Sequence, residues 1–275
     1  MKMRIFRKIL KRPLNIFALS ILFLIVLMAI FPKIFSTYHP FAMDYEAMLS
    51  PPSLKHLFGT DQFGRDIYSR CVHGVQKSVL VAFSSILLAC FFGTLLGLTS
   101  GYYSGVVDLI IMRICDSFFA FPTLVLALFI VALFGNNLTN LILAIAIVYT
   151  PIFARTIRGA TLSTRESLFV KASKTIGAGD LRVMFVHILP NISSVLIVTF
   201  TTNLSTAFLT EASLGFLGLS VPPPQPTLGG LVAQATAFLT TAPWMALFPG
   251  FMIALIVLSL NILGDALRDI LDPRL

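Results

Sequence analysis

Arg165-Glu166-Ser167-Leu168-Phe169-Val170-Lys171-Ala172-Ser173-Lys174-Thr175-Ile176-Gly177-Ala178-Gly179-Asp180-Leu181-Arg182-Val183-Met184-Phe185-Val186-His187-Ile188-Leu189-Pro190 is a long, charge-bearing, helix-prone stretch set between apolar segments almost free of charge. Before it, residues 117–154 carry no Asp, Glu, Lys or Arg, and after it residues 191–210 carry none either. Ordinary soluble domains hold about 25% charged residues, whereas this chain of 275 residues is 12% charged and 57% hydrophobic. Uncharged runs near 20 residues match the thickness of a bilayer. The chain is therefore an all-α integral membrane protein, and the stretch 165–190 is a helix it keeps outside the lipid for a soluble partner.

Six spans follow. The first is 14–35, after a basic tail 1–13 and with no small-residue cleavage site, so it is a retained span rather than a signal peptide. The second is about 78–100. The uncharged run 117–154 is too long for one crossing, and Gly135-Asn136-Asn137 divides it into a third span near 117–134 and a fourth near 138–154. The fifth is near 191–210 and the sixth near 244–264. The domain plan is a cytosolic tail 1–13, span 14–35, an external loop 36–77, a five-helix core 78–264 with a cytosolic loop 155–190, and a cytosolic tail 265–275.

Basic residues orient this bundle. With both termini inside, fifteen Lys and Arg fall on inner segments, against Lys33, Lys55, Arg65, Arg70 and Lys77 outside. That is the positive-inside pattern, and it accounts for the net charge of +8 without nucleic acid. A charge at a helix centre costs roughly 2.5–3.5 kcal/mol on insertion scales, and the assigned spans hold none, so neither a proton relay nor a voltage sensor is expected. Arg155 and Arg158 read as partner or headgroup contacts, Trp244 as an interfacial anchor, and His187 as an interfacial residue or a titrating switch. Asp265, Arg268 and Asp269 read as a helix end with local ion pairs. Cys71, Cys90 and Cys115 show no metal or redox spacing; no metal site and no catalytic residue is expected. A Gly-rich loop ending in Gly-Lys-Ser/Thr is absent, so the chain is not itself an ATPase.

Two external segments have composition of their own. Gly59-Thr60-Asp61-Gln62-Phe63-Gly64-Arg65-Asp66 combines glycines for tight turns with carboxylates that cap local amides; after it, Ile67–Gly74 starts an interfacial helix leading into span two. In 211–243, Pro222-Pro223-Pro224-Gln225-Pro226 forms a stiff connector.

Several stretches in order resemble one family. Ala172-Ser173, Gly177 and His187-Ile188-Leu189-Pro190 resemble the coupling loop of bacterial ABC import permeases. Gly59, Thr60, Asp61, Gly64, Arg65 and Asp66 resemble the external signature of its dipeptide, oligopeptide and nickel branch. Asp108, Met112-Arg113, Asp116 and Phe121-Pro122, then Ser213 and Gly215–Leu219, then Asn261, Gly264-Asp265 and Leu271-Asp272-Pro273 continue it. The match is to the shorter, "C"-type permease.

The resemblance implies a type I ABC importer permease fold in the bacterial cytoplasmic membrane. It implies a heterodimer with a second permease, two ATP-binding subunits that hold the ATP and Mg, and an external binding protein. No cofactor belongs to this chain. Lys171, Ala172, Ser173, Thr175, Gly177, Ala178, His187 and Pro190 become the ATPase-coupling residues. Ser163–Gly179 is expected to form the docking helix, capped by Ser163 or Thr164 and ended by Gly177 or Gly179. Lys171 stands where the family has Glu, and Ser173 where a second Ala is usual. Sparse polar residues, among them Asn140, Thr199, Thr202, Asn203 and Asn261, are candidates for the pathway. They favour short peptides, with a nickel chelate of the same family as the alternative and an orphan channel as a remote one.

Overall fold

The structure, a computed structural model, describes residues 12–271. The tail before Arg12 and the closing residues Asp272, Pro273, Arg274 and Leu275 lie outside the described residues. The described residues hold five helices long and apolar enough to cross a membrane, and a bent pair makes a sixth if counted as one span.

Helix α1 (Pro13–Ile30) opens on a proline, whose missing N–H falls where no intrahelical partner exists. Pro32 then drives Phe31 out of the helical region, to φ −120°. The expected span 14–35 is thus broken after residue 30 and resumes as one turn, Pro32–Phe35. Helix α2 (Ile67–Tyr103) is 37 residues long. The expected span 78–100 is only its middle; what reads as a separate interfacial helix, Ile67–Gly74, is its first two turns. At 1.5 Å per residue α2 is about 55 Å long, well beyond a hydrocarbon core of about 30 Å.

The third span is corrected most. Helices α3 (Gly105–Phe119) and α4 (Thr123–Phe134) meet at 90°, so 117–134 is not one helix. Pro122 explains the break, since it cannot donate to the preceding turn and restricts Phe121. Helix α5 (Leu138–Arg165) runs eleven residues past the expected end at 154. Ser163 and Thr164 lie within its last turn, so neither caps the next helix. Helix α6 is Leu168–Thr175, shorter than the expected 163–179. Helices α7 (Ser193–Phe216), α8 (Leu228–Ala235) and α9 (Trp244–Leu271) complete the bundle. Each of α7 and α9 continues past its apolar run.

The α2–α5 contact is set by a stripe of small residues. A Cβ on Gly93 would lie 2.4 Å from Phe153 Cβ, one on Gly97 2.6 Å from the Ala154 carbonyl, and one on Gly101 2.7 Å from Thr161 Cβ. Spaced four apart, these glycines share one face, and their lack of side chains lets two backbones approach. Lipid tails are as apolar as any core residue, so close packing rather than burial from water holds such a pair. Three clusters stack along α2: Cys71, Val75, Phe208 and Leu228 at its N-terminal end; Ile86, Leu141, Ile145 and Phe153 in the middle; Leu98, Tyr102, Ile157, Val170 and Met184 at its C-terminal end.

Candidate functional site

At the N-terminal end of α2, residues 36–66 fold onto its start as a closed knot. Gly59 and Gly64 have φ of +75° and +70°, and a Cβ at Gly64 would lie 1.8 Å from the Asp44 carbonyl oxygen. Asp61 accepts from the backbone N–H groups of Phe63 and Arg65 at 2.9 and 3.0 Å, and from Arg65 Nε at 2.7 Å. Asp66 caps α2 by accepting from the Ser69 N–H at 2.8 Å, and it lies 3.0 Å from His56 Nδ1. The Thr60 hydroxyl donates to the Ala47 carbonyl and accepts from the Ser50 N–H at 2.9 Å. Thr60, Asp61, Arg65, Asp66 and Arg70 are all buried. The carboxylates expected to cap local amides do so, and the loop is packed rather than solvated.

Two partners of this knot come from far along the chain. Trp244 Nε1 donates to the Thr60 carbonyl at 3.2 Å, with its ring against Gly59. Trp244 is therefore bolted to the knot as well as placed at the start of α9. Arg70 Nη2 donates to Gln234 Oε1 at 3.2 Å, and its Nε lies 3.7 Å from Asp61 Oδ2. Sequence reasoning named Arg70 but not Gln234. It also placed Glu211 in an outer loop, whereas Glu211 is fully buried within α7 and accepts from the Ser220 hydroxyl at 3.2 Å. The spans are thus not free of ionisable residues: α7 outruns its apolar stretch because α8 packs across it. Gly229 makes that packing possible, since a Cβ there would lie 2.0 Å from the Ala212 carbonyl.

At the opposite end the chain makes an exposed hairpin. Glu166 and Ser167 form the turn after α5, and Lys171 Nζ lies 3.2 Å from Glu166. The Lys171 ammonium holds the exposed Glu166 carboxyl below its ordinary range. Helix α6 ends in a Schellman motif: the Gly177 N–H donates to the Lys174 carbonyl at 2.9 Å and the Ala178 N–H to the Ser173 carbonyl at 3.0 Å. Gly177 supplies the required left-handed turn, with φ +87° and open space where a side chain would be. Gly177, not Gly179, therefore ends the helix. Val170 and Ser173 face inward, while Leu168, Lys171, Ala172, Thr175 and Ile176 form one exposed stripe. Leu168 and Ile176 are 85% and 86% exposed, an unusual outlay of apolar surface on an eight-residue helix.

The basic residues beside the hairpin are paired internally. Arg158 makes a fork with Asp108 at 2.5 and 2.6 Å, and Arg155 pairs with Asp116. Both arginines, readable as partner, headgroup or snorkelling contacts, thus each have a carboxylate of their own chain. They also tie α3 to α5 at two points. Arg12 pairs with Asp269 at 3.2 Å, joining the two ends of the described chain.

Beyond Gly179 the backbone passes through a π-helical stretch, Val183–Ile188, and a turn, Leu189–Asn191, before α7. Pro190 precedes α7 rather than opening it. His187 is half-buried, and its carbonyl accepts from Asn191 Nδ2 at 2.7 Å. Of the pathway candidates, Asn261 accepts from the Ser205 hydroxyl at 2.6 Å, linking α9 to α7. Thr202 and Asn203 bond carbonyls of their own helix. Asn140 stands apart, donating to Phe134 and Gly135 across the α4–α5 turn. A cavity of about 500 Å³ opens between α5, α7 and the end of α9, lined by Thr156, Ser163, Thr164, Ser194, Thr199 and Arg268 among others. Of these, the sequence reading listed only Thr199 as a pathway residue, because hydroxyls in helix ends give no distinctive pattern.

Residues 93–275 match the family described as binding-protein-dependent transport system inner membrane component, and residues 3–52 match the N-terminal transmembrane domain of oligopeptide transport permease C. The chain is 43% identical over 270 residues to the dipeptide transport system permease protein DppC of Alkalihalophilus pseudofirmus, covering 98% of this chain and 89% of that one. It is 43% identical over 232 residues to the glutathione transport system permease protein GsiD of Pectobacterium atrosepticum, covering 84% and 77%. Among solved structures, the MetNI methionine ABC transporter in an inward-facing form aligns with a TM-score of 0.60 at 19% identity, over 73% of this chain and 96% of that one. That likeness shows the type I importer fold.

Proposed function

This chain belongs to the family of binding-protein-dependent transport system inner membrane components, and from that membership we propose that it forms half of the pathway of an ATP-driven importer of short peptides. It is a transport component rather than an enzyme. Permeases of ABC importers work with ATPase partners; here the partners are a second, unlike permease, two subunits that bind ATP and Mg, and an external binding protein. The chain crosses the bacterial inner membrane six times with both ends cytosolic.

The observation that carries this reading is the exposed stripe Leu168, Lys171, Ala172, Thr175 and Ile176 beside the open bend at Gly177. A rigidly capped helix with half-apolar residues facing out is a docking surface. The substrate class rests on the relatives, one a dipeptide and one a glutathione permease. Thr175→Cys is expected to cross-link to the ATPase subunit. A tag near Ser167 should be reachable from inside only and one near Gln225 from outside only; cytosolic exposure of 225 would overturn the topology. Deleting the gene should abolish dipeptide uptake and sensitivity to toxic peptides. Unchanged peptide uptake with lost nickel accumulation would reject the peptide reading.

A further inference from the structure

Tyr102, in the last turn of α2, is 4% exposed and is held on three sides. Its hydroxyl donates to Asp180 Oδ1 at 2.5 Å. The Lys174 ammonium sits over its ring, 4.4 Å from the centroid. Arg165 Nη1 donates to its carbonyl at 2.8 Å and to the Ser104 hydroxyl at 2.6 Å. Lys174 and Asp180 lie three residues before and three after Gly177. The docking bend therefore stands with both feet on one aromatic ring. A phenol donating to a carboxylate is among the stronger hydrogen bonds, and the ammonium over the ring adds a cation–π contact. Leu98, Val170, Val183 and Met184 belong to the same buried cluster as Tyr102.

Two routes lead from the bend into the bundle. One passes through the π-helical stretch 183–188 and the break at Ile192 into α7. Both are joints that yield. The other passes through Tyr102 into α2, which runs unbroken for 37 residues to its Asp66 cap and Arg70 in the outer knot. We infer that Tyr102 is the positioning residue that passes movement of the docking bend into α2, and through α2 to the external knot. This rests on the docking role given above to the stripe beside Gly177.

The test uses the whole importer with its binding protein, reconstituted in liposomes, with a radiolabelled dipeptide such as glycyl-leucine as probe. Tyr102→Phe keeps the ring and loses the bond to Asp180. It is expected to lower dipeptide transported per ATP by about tenfold, the effect of one hydrogen bond to a charged group, while the ATPase subunits still co-purify in full amount. Asp180→Ala, which removes the acceptor, should give the same loss, and the double variant no further loss, because both remove one interaction. Tyr102→Leu, which also removes the cation–π contact, should be worse. A residue that only packs would lower thermal stability and yield but leave dipeptide per ATP unchanged. An unchanged ratio in both Tyr102→Phe and Tyr102→Leu, with Gly177→Glu still blocking transport, would overturn the inference and leave the docking site standing. Normal transport in Gly177→Glu would instead remove the docking site itself.

Discussion

The knot at 59–70 and the hairpin at 168–180 both carry charged residues and glycines in a family-like pattern, yet they differ in where those groups face. In the knot Asp61, Arg65, Asp66 and Arg70 turn inward and are spent on one another, on backbone amides and on Gln234. In the hairpin Lys171, Thr175 and Ile176 turn outward, and the side-chain partner of Lys171, Glu166, is itself exposed. A recurrent motif can therefore mark a piece of architecture or a contact surface, and burial decides which. Glycine shows the same division. Gly64 is required because nothing else fits, whereas Gly177 is required because nothing else turns that way so easily.

Changes in the knot should act on folding, and changes in the hairpin on transport. The largest expected effect is from Gly64→Ala. Its Cβ would overlap the Asp44 carbonyl at a φ of +70°, costing about 3 kcal/mol or more. The check is the amount of the chain in the membrane and its thermal stability in detergent; near-normal values would break the distinction. Gly177→Glu comes next, with normal membrane levels and no transport. Gly177→Asn, which tolerates a positive φ, should keep most activity, since no neighbour lies within 4 Å to obstruct it. Trp244→Phe removes the bond to Thr60 and should cost about 1 kcal/mol, seen as a small fall in detergent Tm with transport retained. Smallest is Lys171→Ala. Its pair with Glu166 is exposed and screened, so Tm should not change measurably. Because Glu166 is held low, the pair persists at neutral pH and is lost only as pH falls through that lowered value.

Much of this was legible. The apolar runs mark the spans, and the Gly135-Asn136-Asn137 break between α4 and α5 stands where the structure turns. Helix ends were not legible, for two reasons. Hydropathy stops at the first charge, but Arg70 and Lys77 continue α2 because Asp61 and Gln234 neutralise or bind Arg70 within the fold. Likewise Arg155, Arg158 and Arg165 prolong α5 by pairing with Asp116 and Asp108 and by capping α2. The bend at Phe121-Pro122 carried a plain signal that the uncharged run obscured. The stripe Gly93, Gly97, Gly101 was also visible, at a spacing of four, and went unread. The pairing of His56 with Asp66, and of Tyr102 with Asp180, has no sequence signal at all, because only the folded chain brings them together.

The glycine stripe also bears on how the bundle is assembled. Glycine has no rotamers to lose on contact, and in a bilayer the helices form before they pack. Joining α2 to α5 then freezes almost nothing beyond the relative placement of two existing rods. Their seam is suited to form first and to come apart last. In a titration with sodium dodecyl sulphate, a cysteine pair engineered across it should stay cross-linkable after contacts of α1 and α9 have been lost; earlier loss would show that the bundle is seeded elsewhere.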